Sequence, residues 1–235
     1  MLIGPQNWAE NVGNVRAAMA AAATQCGRNV DSVTLLAVSK GHPAQSVRGV
    51  AATGVGHFGE NYLQEALPKI EALADLGLTW HFTGRLQANK TRAVAEHFAW
   101  VHGVDRLKLA ERLAAQRPYH APPLNVCIQV SVAGESGKAG VAPAELAVLA
   151  AAIRALPRLR LRGLMCLPPE ETDIARQRHW FALARAAFDA LRAAGFELDT
   201  LSMGMSGDYP AAIAEGATLV RVGTAVFGPR SAAST

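Results

Sequence analysis

Short apolar runs alternate with stretches of helical period from one end of the chain to the other. The clearest run, Val33-Thr34-Leu35-Leu36-Ala37-Val38-Ser39, is rich in branched residues and shows no polar alternation. That is the pattern of a parallel strand covered on both faces. With this strand at 33–39, similar runs predict strands over residues 56–59, 79–84, 100–103, 124–130, 159–165, 200–203 and 218–222. An amphipathic helix is predicted over about residues 7–26, and helical stretches fill the later gaps, among them 64–76, 107–116, 143–156 and 174–194. Regular β–α alternation calls for a parallel sheet. Eight such strands in 235 residues predict an α/β fold, a single (β/α)8 barrel with an extra N-terminal helix, as one domain over residues 1–235. A doubly wound open sheet is the competing arrangement, because 56–59 and 100–103 are short. No long Gly/Ser/Pro linker and no short-period repeat interrupts the pattern.

Half of the residues are apolar and alanine is abundant, which suits helices packed closely on a sheet. The net charge of +4 and pI near 9.2 raise the question of nucleic acid. The arginines are scattered on helical stretches, as at Arg154, Arg158, Arg176, Arg185 and Arg192, without interleaved aromatics. They read as solvated faces, so no nucleic-acid partner is expected, although a mildly positive field favours a small anionic ligand. Met1-Leu2-Ile3-Gly4-Pro5 does not begin a secretory signal, and no run reaches the roughly 18 apolar residues of a membrane span. Cys26, Cys127 and Cys166 are odd in number and widely spaced, as expected of reduced thiols. A cytoplasmic protein with no membrane partner is expected.

Lys40 stands where the first strand stops, before Gly41-His42-Pro43. Its stem would lie in the core and its nitrogen in a partly dry pocket, where the neutral amine is favoured and can attack a carbonyl to form a Schiff base. A lysine snorkelling to solvent is the alternative. In a barrel the loops after the strands share one face, and loops seven and eight frequently hold phosphate. Met203-Gly204-Met205-Ser206-Gly207-Asp208 and Gly223-Thr224 bring glycines and hydroxyls there, with Asp208 placed to cap a helix at Tyr209, although the glycines also fit ordinary turns. Arg221, just inside the last loop, should point toward the barrel mouth and needs a partner: a heterocyclic nitrogen or an internal carboxylate. Pyridoxal 5'-phosphate offers an aldehyde, a phosphate and a ring nitrogen to these three places.

The blocks Leu35 to Lys40, Phe58-Gly59-Glu60-Asn61-Tyr62, Trp80-His81-Phe82, Leu86-Gln87-Ala88-Asn89-Lys90, Arg162-Gly163-Leu164-Met165, Ser202 to Ser206 and Val220 to Gly228 follow one another in order. In this they resemble the YggS/PROSC-type pyridoxal phosphate-binding proteins, the PLP homeostasis family, over nearly the whole chain. Arg85 and the loop 132–140 depart from the family pattern. The resemblance implies a barrel similar to the N-terminal domain of alanine racemase, with Lys40 as Schiff-base lysine. It also implies that Ser206, Gly223 and Thr224 hold the phosphate and that Arg221 faces the pyridine nitrogen. Asn61, His81 and Met165 fall in its blocks at strand ends and complete the expected cofactor-binding set; for His81, simple packing is the competing role. Lys90 and Lys138 are further amines at the rim.

An arginine at the pyridine nitrogen disfavours ring protonation and weakens the cofactor as an electron sink. Racemisation usually needs acid/base groups on both faces of the substrate carbon. The racemase resemblance would draw the second from a β-rich domain, whereas this chain stops at Thr235 and has only Tyr62, Tyr119 and Tyr209. The expected function is therefore reversible holding and delivery of pyridoxal phosphate, with consequences for amino-acid and keto-acid balance and with PLP-dependent apoenzymes as recipients. A small PLP-dependent racemase or lyase is the second reading, and a cofactor-free aldolase using Lys40 the third. The seven histidines have no metal-ligand spacing. Without the racemase dimer surface, a monomer is expected.

Overall fold

The computed structural model describes residues 7–134 and 139–229. Eight parallel strands close in chain order: β1 (Thr34–Val38), β2 (His57–Glu60), β3 (Thr79–Phe82), β4 (Trp100–Val104), β5 (Leu124–Val130), β6 (Leu159–Cys166), β7 (Thr200–Ser202) and β8 (Leu219–Val222). The helices are α1 (Trp8–Gln25), α2 (Ala44–Ala51), α3 (Leu63–Ala72), α4 (Thr91–His97), α5 (Leu107–Gln116), α6 (Leu146–Arg154), α7 (Ile174–Ala193), α8 (Tyr209–Ala214) and α9 (Thr224–Phe227). Because β1 pairs with β8 from Thr34↔Leu219 to Ala37↔Val222, the sheet has no edge and the open-sheet alternative falls away. No helix among the described residues is long and apolar enough to cross a membrane.

Two predicted helices are divided. The stretch 64–76 yields α3 and then a separate 3-10 turn, Ala74–Leu76, that ends at left-handed Gly77. The stretch 143–156 opens with the 3-10 turn Pro143–Glu145, and α6 starts only after it. The first strand also ends one residue early. Ser39 still donates its N–H to Gly59, but its carbonyl turns away to accept from His42 N–H and Lys69 Nζ.

Parallel register fixes which side chains point inward. Paired residues share a face and the face alternates along each strand. Leu36 lies opposite Arg221, Val38 opposite Gly59, Gly59 opposite His81, His81 opposite Trp100, Gln129 opposite Met165, and Met165 opposite Ser202. These residues form one face around the ring. Leu36, Cys127, Met165 and Leu219, all buried, lie outside the apolar cluster that packs the helices onto the sheet, so they face the lumen. Outside the ring, Phe58, Phe98, Phe181 and Phe227 are fully buried in that cluster. The helices are seated by local signals as well, with Asn7 accepting from Glu10 N–H at the start of α1 and Asp173 from Arg176 N–H at the start of α7.

The turn after β7 depends on backbone freedom at Gly204. Its φ is +92°, and a Cβ there would lie 2.6 Å from Ala212 Cβ and 2.9 Å from Tyr209 Cα. Gly204→Ala is therefore expected to destabilise the protein by about 1–3 kcal/mol through strain alone, with further loss from displacing α8. Urea unfolding with an unchanged slope and a lowered midpoint checks this; an unchanged midpoint contradicts it.

Candidate functional site

Lys40 lies in the turn after β1, half-buried. Behind it, on the helix side of the sheet, is a buried ion pair. Lys69 Nζ donates to Glu60 Oε1 at 2.7 Å and to the Ser39 carbonyl at 2.8 Å, and Ser39 Oγ donates to the same carboxylate oxygen at 2.6 Å. Glu65 accepts from Gly41 N–H at 2.7 Å. The peptides on both sides of Lys40 are thus fixed by α3, which carries Lys69 and Glu65. Burial pushes the Glu60 carboxyl above its ordinary range, against the pull of Lys69 and Ser39. Its Oε2 is buried without a hydrogen-bond partner among the described residues.

The predicted anion loops follow the last two strands at the end of the barrel where Lys40 follows β1, and the Arg221 main-chain N–H donates to the Gly204 carbonyl between them. A Cβ on Gly223 would stand 3.2 Å from the Val38 carbonyl oxygen, so the end of β8 lies backbone to backbone against the end of β1. Thr224 begins α9, exposed, with the unpaired N–H groups of a helix start. Ser206 is half-buried in the turn after β7. Asp208 occupies the N-cap position of α8 without capping it. Its carboxylate turns back to accept from Met205 N–H at 2.5 Å and tightens the Gly204 to Asp208 turn instead.

Arg221 is buried in the lumen, pointing inward as predicted. Nη1 donates to the Ser202 carbonyl at 2.7 Å and to Ser202 Oγ at 2.8 Å, and Nη2 donates to the Cys166 carbonyl at 2.9 Å. No carboxylate among the described residues forms an ion pair with it. The internal-carboxylate alternative gives way to neutral oxygens on β6 and β7. Desolvation lowers the guanidinium from its ordinary value, and burial pushes the neighbouring Cys127 and Cys166 thiols up to about 12, so both stay protonated.

His81 is neither at the rim nor simply packed. It lies fully buried between His57, 3.0 Å away, and His102, 2.9 Å away, and His102 Nδ1 is 2.8 Å from Ser202 Oγ. Burial, then the neighbouring histidines, holds His81 well below its usual range; burial, then Arg221, lowers His102 to about 3. Burial lowers His57 as well. The sequence reading missed His57, His102 and Ser202, because they come together from strands far apart in the chain. Met165 points into the lumen, and Asn61 accepts from Thr83 Oγ1 at 2.9 Å at the mouth. Asn61, Tyr62, Arg85 and Lys90 line a cleft of about 300 Å³ outside it; Lys138 lies outside the described residues. Tyr62 is 57% exposed, Tyr119 is 93% exposed and Tyr209 is buried.

Residues 8–231 match the family model for the alanine racemase N-terminal domain. The chain is 56% identical over 222 residues to the pyridoxal phosphate homeostasis protein of Pseudomonas aeruginosa, covering 94% of this chain and 95% of that one. It is 51% identical over 228 residues to that of Escherichia coli K12, covering 94% and 96%. Among solved structures, PipY of Synechococcus elongatus with PLP bound superposes with a TM-score of 0.84 at 40% identity, covering 94% of this chain and all of that one. Alanine racemase of Corynebacterium glutamicum shares the barrel at 18% identity, with a TM-score of 0.63 over 94% of this chain and 62% of that one, a likeness of fold alone.

Two expectations follow from this geometry. Lys69→Met leaves the Glu60 carboxylate buried and unpaired and should cost about 3–5 kcal/mol, whereas Glu60→Leu combined with Lys69→Met should recover most of that loss. Equal stabilities of the single and double variants in chemical denaturation would contradict this. The buried histidines stay neutral while the unfolded chain takes up protons below about pH 6.5, so they make stability fall as pH drops from there toward about 3, the value at His102. Glu60 and Asp208, whose carboxyls burial raises, act with the opposite sign. Comparison with His102→Asn isolates the histidine part. The variant's stability should depend on pH less steeply, by about 1.4 kcal/mol per pH unit near pH 5, and parallel profiles would refute the assignment.

Proposed function

We propose, since the chain belongs to the alanine racemase N-terminal domain family and stands among its pyridoxal phosphate homeostasis proteins, that it captures pyridoxal 5'-phosphate at Lys40 and releases it to other proteins. The observation that carries this reading is the meeting, at one end of the lumen, of a strand-end lysine, two glycine-bearing loops and a buried arginine hydrogen-bonded to neutral oxygens. The PLP-bound state of PipY supports it.

The residues present fit the group. Gly223 leaves room where a side chain would press on the β1 backbone, and Ser206, Gly223 and Thr224 would supply hydroxyl and N–H donors to the phosphate. Asn61 and Met165 would border the ring. His81 would act from below, through His102 and Ser202. Pyridoxal phosphate supplies an aldehyde that condenses with an amine, losing water. Lys40 is the amine held in place for it, by the Ser39 and Gly41 contacts described above. Arg221 would meet the ring nitrogen as a permanent cation and keep a proton off it, which disfavours carbanion chemistry.

Tyr62 and Tyr119 are exposed and Tyr209 packs against Gly204 at the start of α8, an arrangement that favours a carrier over a racemase. The carrier works in the cytoplasm as a monomer, its whole binding unit one barrel, and its recipients are PLP-dependent apoenzymes. The purified protein mixed with pyridoxal phosphate should develop a visible band, and borohydride should fix the adduct on the peptide containing Lys40. Lys40→Ala should lose the band. Labelling at another amine alone would sink the reading, and turnover of D- or L-amino acids at about 1 s⁻¹ or faster would make the protein an enzyme.

A further inference from the structure

Beneath Arg221, side chains from four other positions on the ring form one hydrogen-bonded file. Ser202 Oγ touches His102, His102 touches His81 and His81 touches His57, every link 2.8–3.0 Å long. His81, His102 and Ser202 are fully buried. His57 is half-buried at the opposite end of the barrel, where with Arg16 and Asp31 it lines a cavity of about 350 Å³. The file therefore runs from the barrel floor to the cation that faces the cofactor.

Its polarity follows from donor and acceptor chemistry. A guanidinium only donates, so Ser202 Oγ accepts from Arg221. The hydroxyl hydrogen then has one acceptor in the file, His102 Nδ1. His102 must carry its proton on Nε2 and donate it to His81 Nδ1; His81 must carry its proton on Nε2 and donate to His57 Nδ1. In the reverse polarity each ring keeps one proton but moves it to Nδ1, and none is gained or lost. Ser202 Oγ would then receive from both His102 and Arg221, and its own hydrogen would have no acceptor in the file. Burial keeps the rings neutral, as either arrangement requires.

We infer that His57, His81 and His102 are positioning residues for Arg221: through Ser202 they hold one hydrogen-bond polarity that presents an acceptor to the guanidinium, and the acceptor at His57 sets that polarity from the barrel floor. The inference rests on the proposed function, in which Arg221 meets the ring nitrogen. An alteration at His57, three hydrogen-bond links from Ser202, thus reaches the bound cofactor.

The test uses the full chain loaded with pyridoxal phosphate. His57→Leu removes the terminal acceptor and frees the file to reverse, whereas His57→Asn offers a carbonyl oxygen in place of Nδ1. His57→Leu should shift the pH midpoint of the cofactor's visible band and weaken retention about three- to tenfold, the worth of one altered hydrogen bond. His57→Asn should stay near wild type. Ser202→Ala, which cuts the file at its other end, should reproduce the shift and decides the matter if His57→Leu fails to fold. Nitrogen-15 spectra of the loaded wild type should show His81 and His102 protonated on Nε2. A proton on Nδ1 of His102, or a cofactor band and retention unaltered in His57→Leu and Ser202→Ala, overturns the inference. A wild-type chain that takes up no pyridoxal phosphate at Lys40 overturns the proposed function instead.

Discussion

A permanent cation held inside a barrel by neutral oxygens is the constraint around which this lumen is organised. Isolated ions are expensive to bury, and among the described residues Arg221 donates hydrogen bonds to two carbonyls and one hydroxyl. The buried groups around it stay uncharged, with His102 lowered to about 3 and the Cys127 and Cys166 thiols pushed up to about 12, while the Asp208 carboxylate favours the cation from a distance. A lumen of this kind differs from the branched aliphatic layers that usually fill such barrels. In the proposed function a ring nitrogen would approach this cation without bringing the net charge of a carboxylate.

The other half of the site follows a different rule. Lys40 is placed by groups on the far side of the sheet, where the Glu60–Lys69 pair grips the Ser39 carbonyl and hydroxyl. A buried ion pair adds little net stability, yet its geometry is exacting. Here it sets where a strand stops and where the next side chain begins. The ion pair that anchors the Lys40 backbone thus lies on the other face of the sheet from the lumen.

Much of this was legible in the chain. Continuous apolar runs located β1 and β5 within a residue, and the positions of Lys40, the two glycine-bearing loops and Arg221 at strand ends singled them out before the resemblance gave them a common ligand. The weakly marked strands, β2 and β4, were hard to read for a physical reason: they turn His57, Gly59 and His102 into the lumen, and these break the apolar run that marks a covered strand. The histidine file left no local signal. Its members are joined by closure of the barrel, so no spacing along the sequence reveals them. The Glu60–Lys69 pair was equally hidden, since its meaning depends on α3 folding back over the end of β1. Arg221 was expected to need a partner, but main-chain carbonyls carry no side-chain signature.

The seam between β1 and β8 also bears on how the protein comes into being. Lys40 follows the first strand of the ring and Gly223 the last, so the amine and the proposed anion cradle are joined across nearly the whole chain. A nascent polypeptide still lacking its final strand holds a lysine with no cradle beside it. Competence to bind therefore arrives in a single event, when the two ends of the chain zip together after the largest loop closure of the fold. On the proposed function, a copy whose two ends have not met offers the vitamer only half of its site.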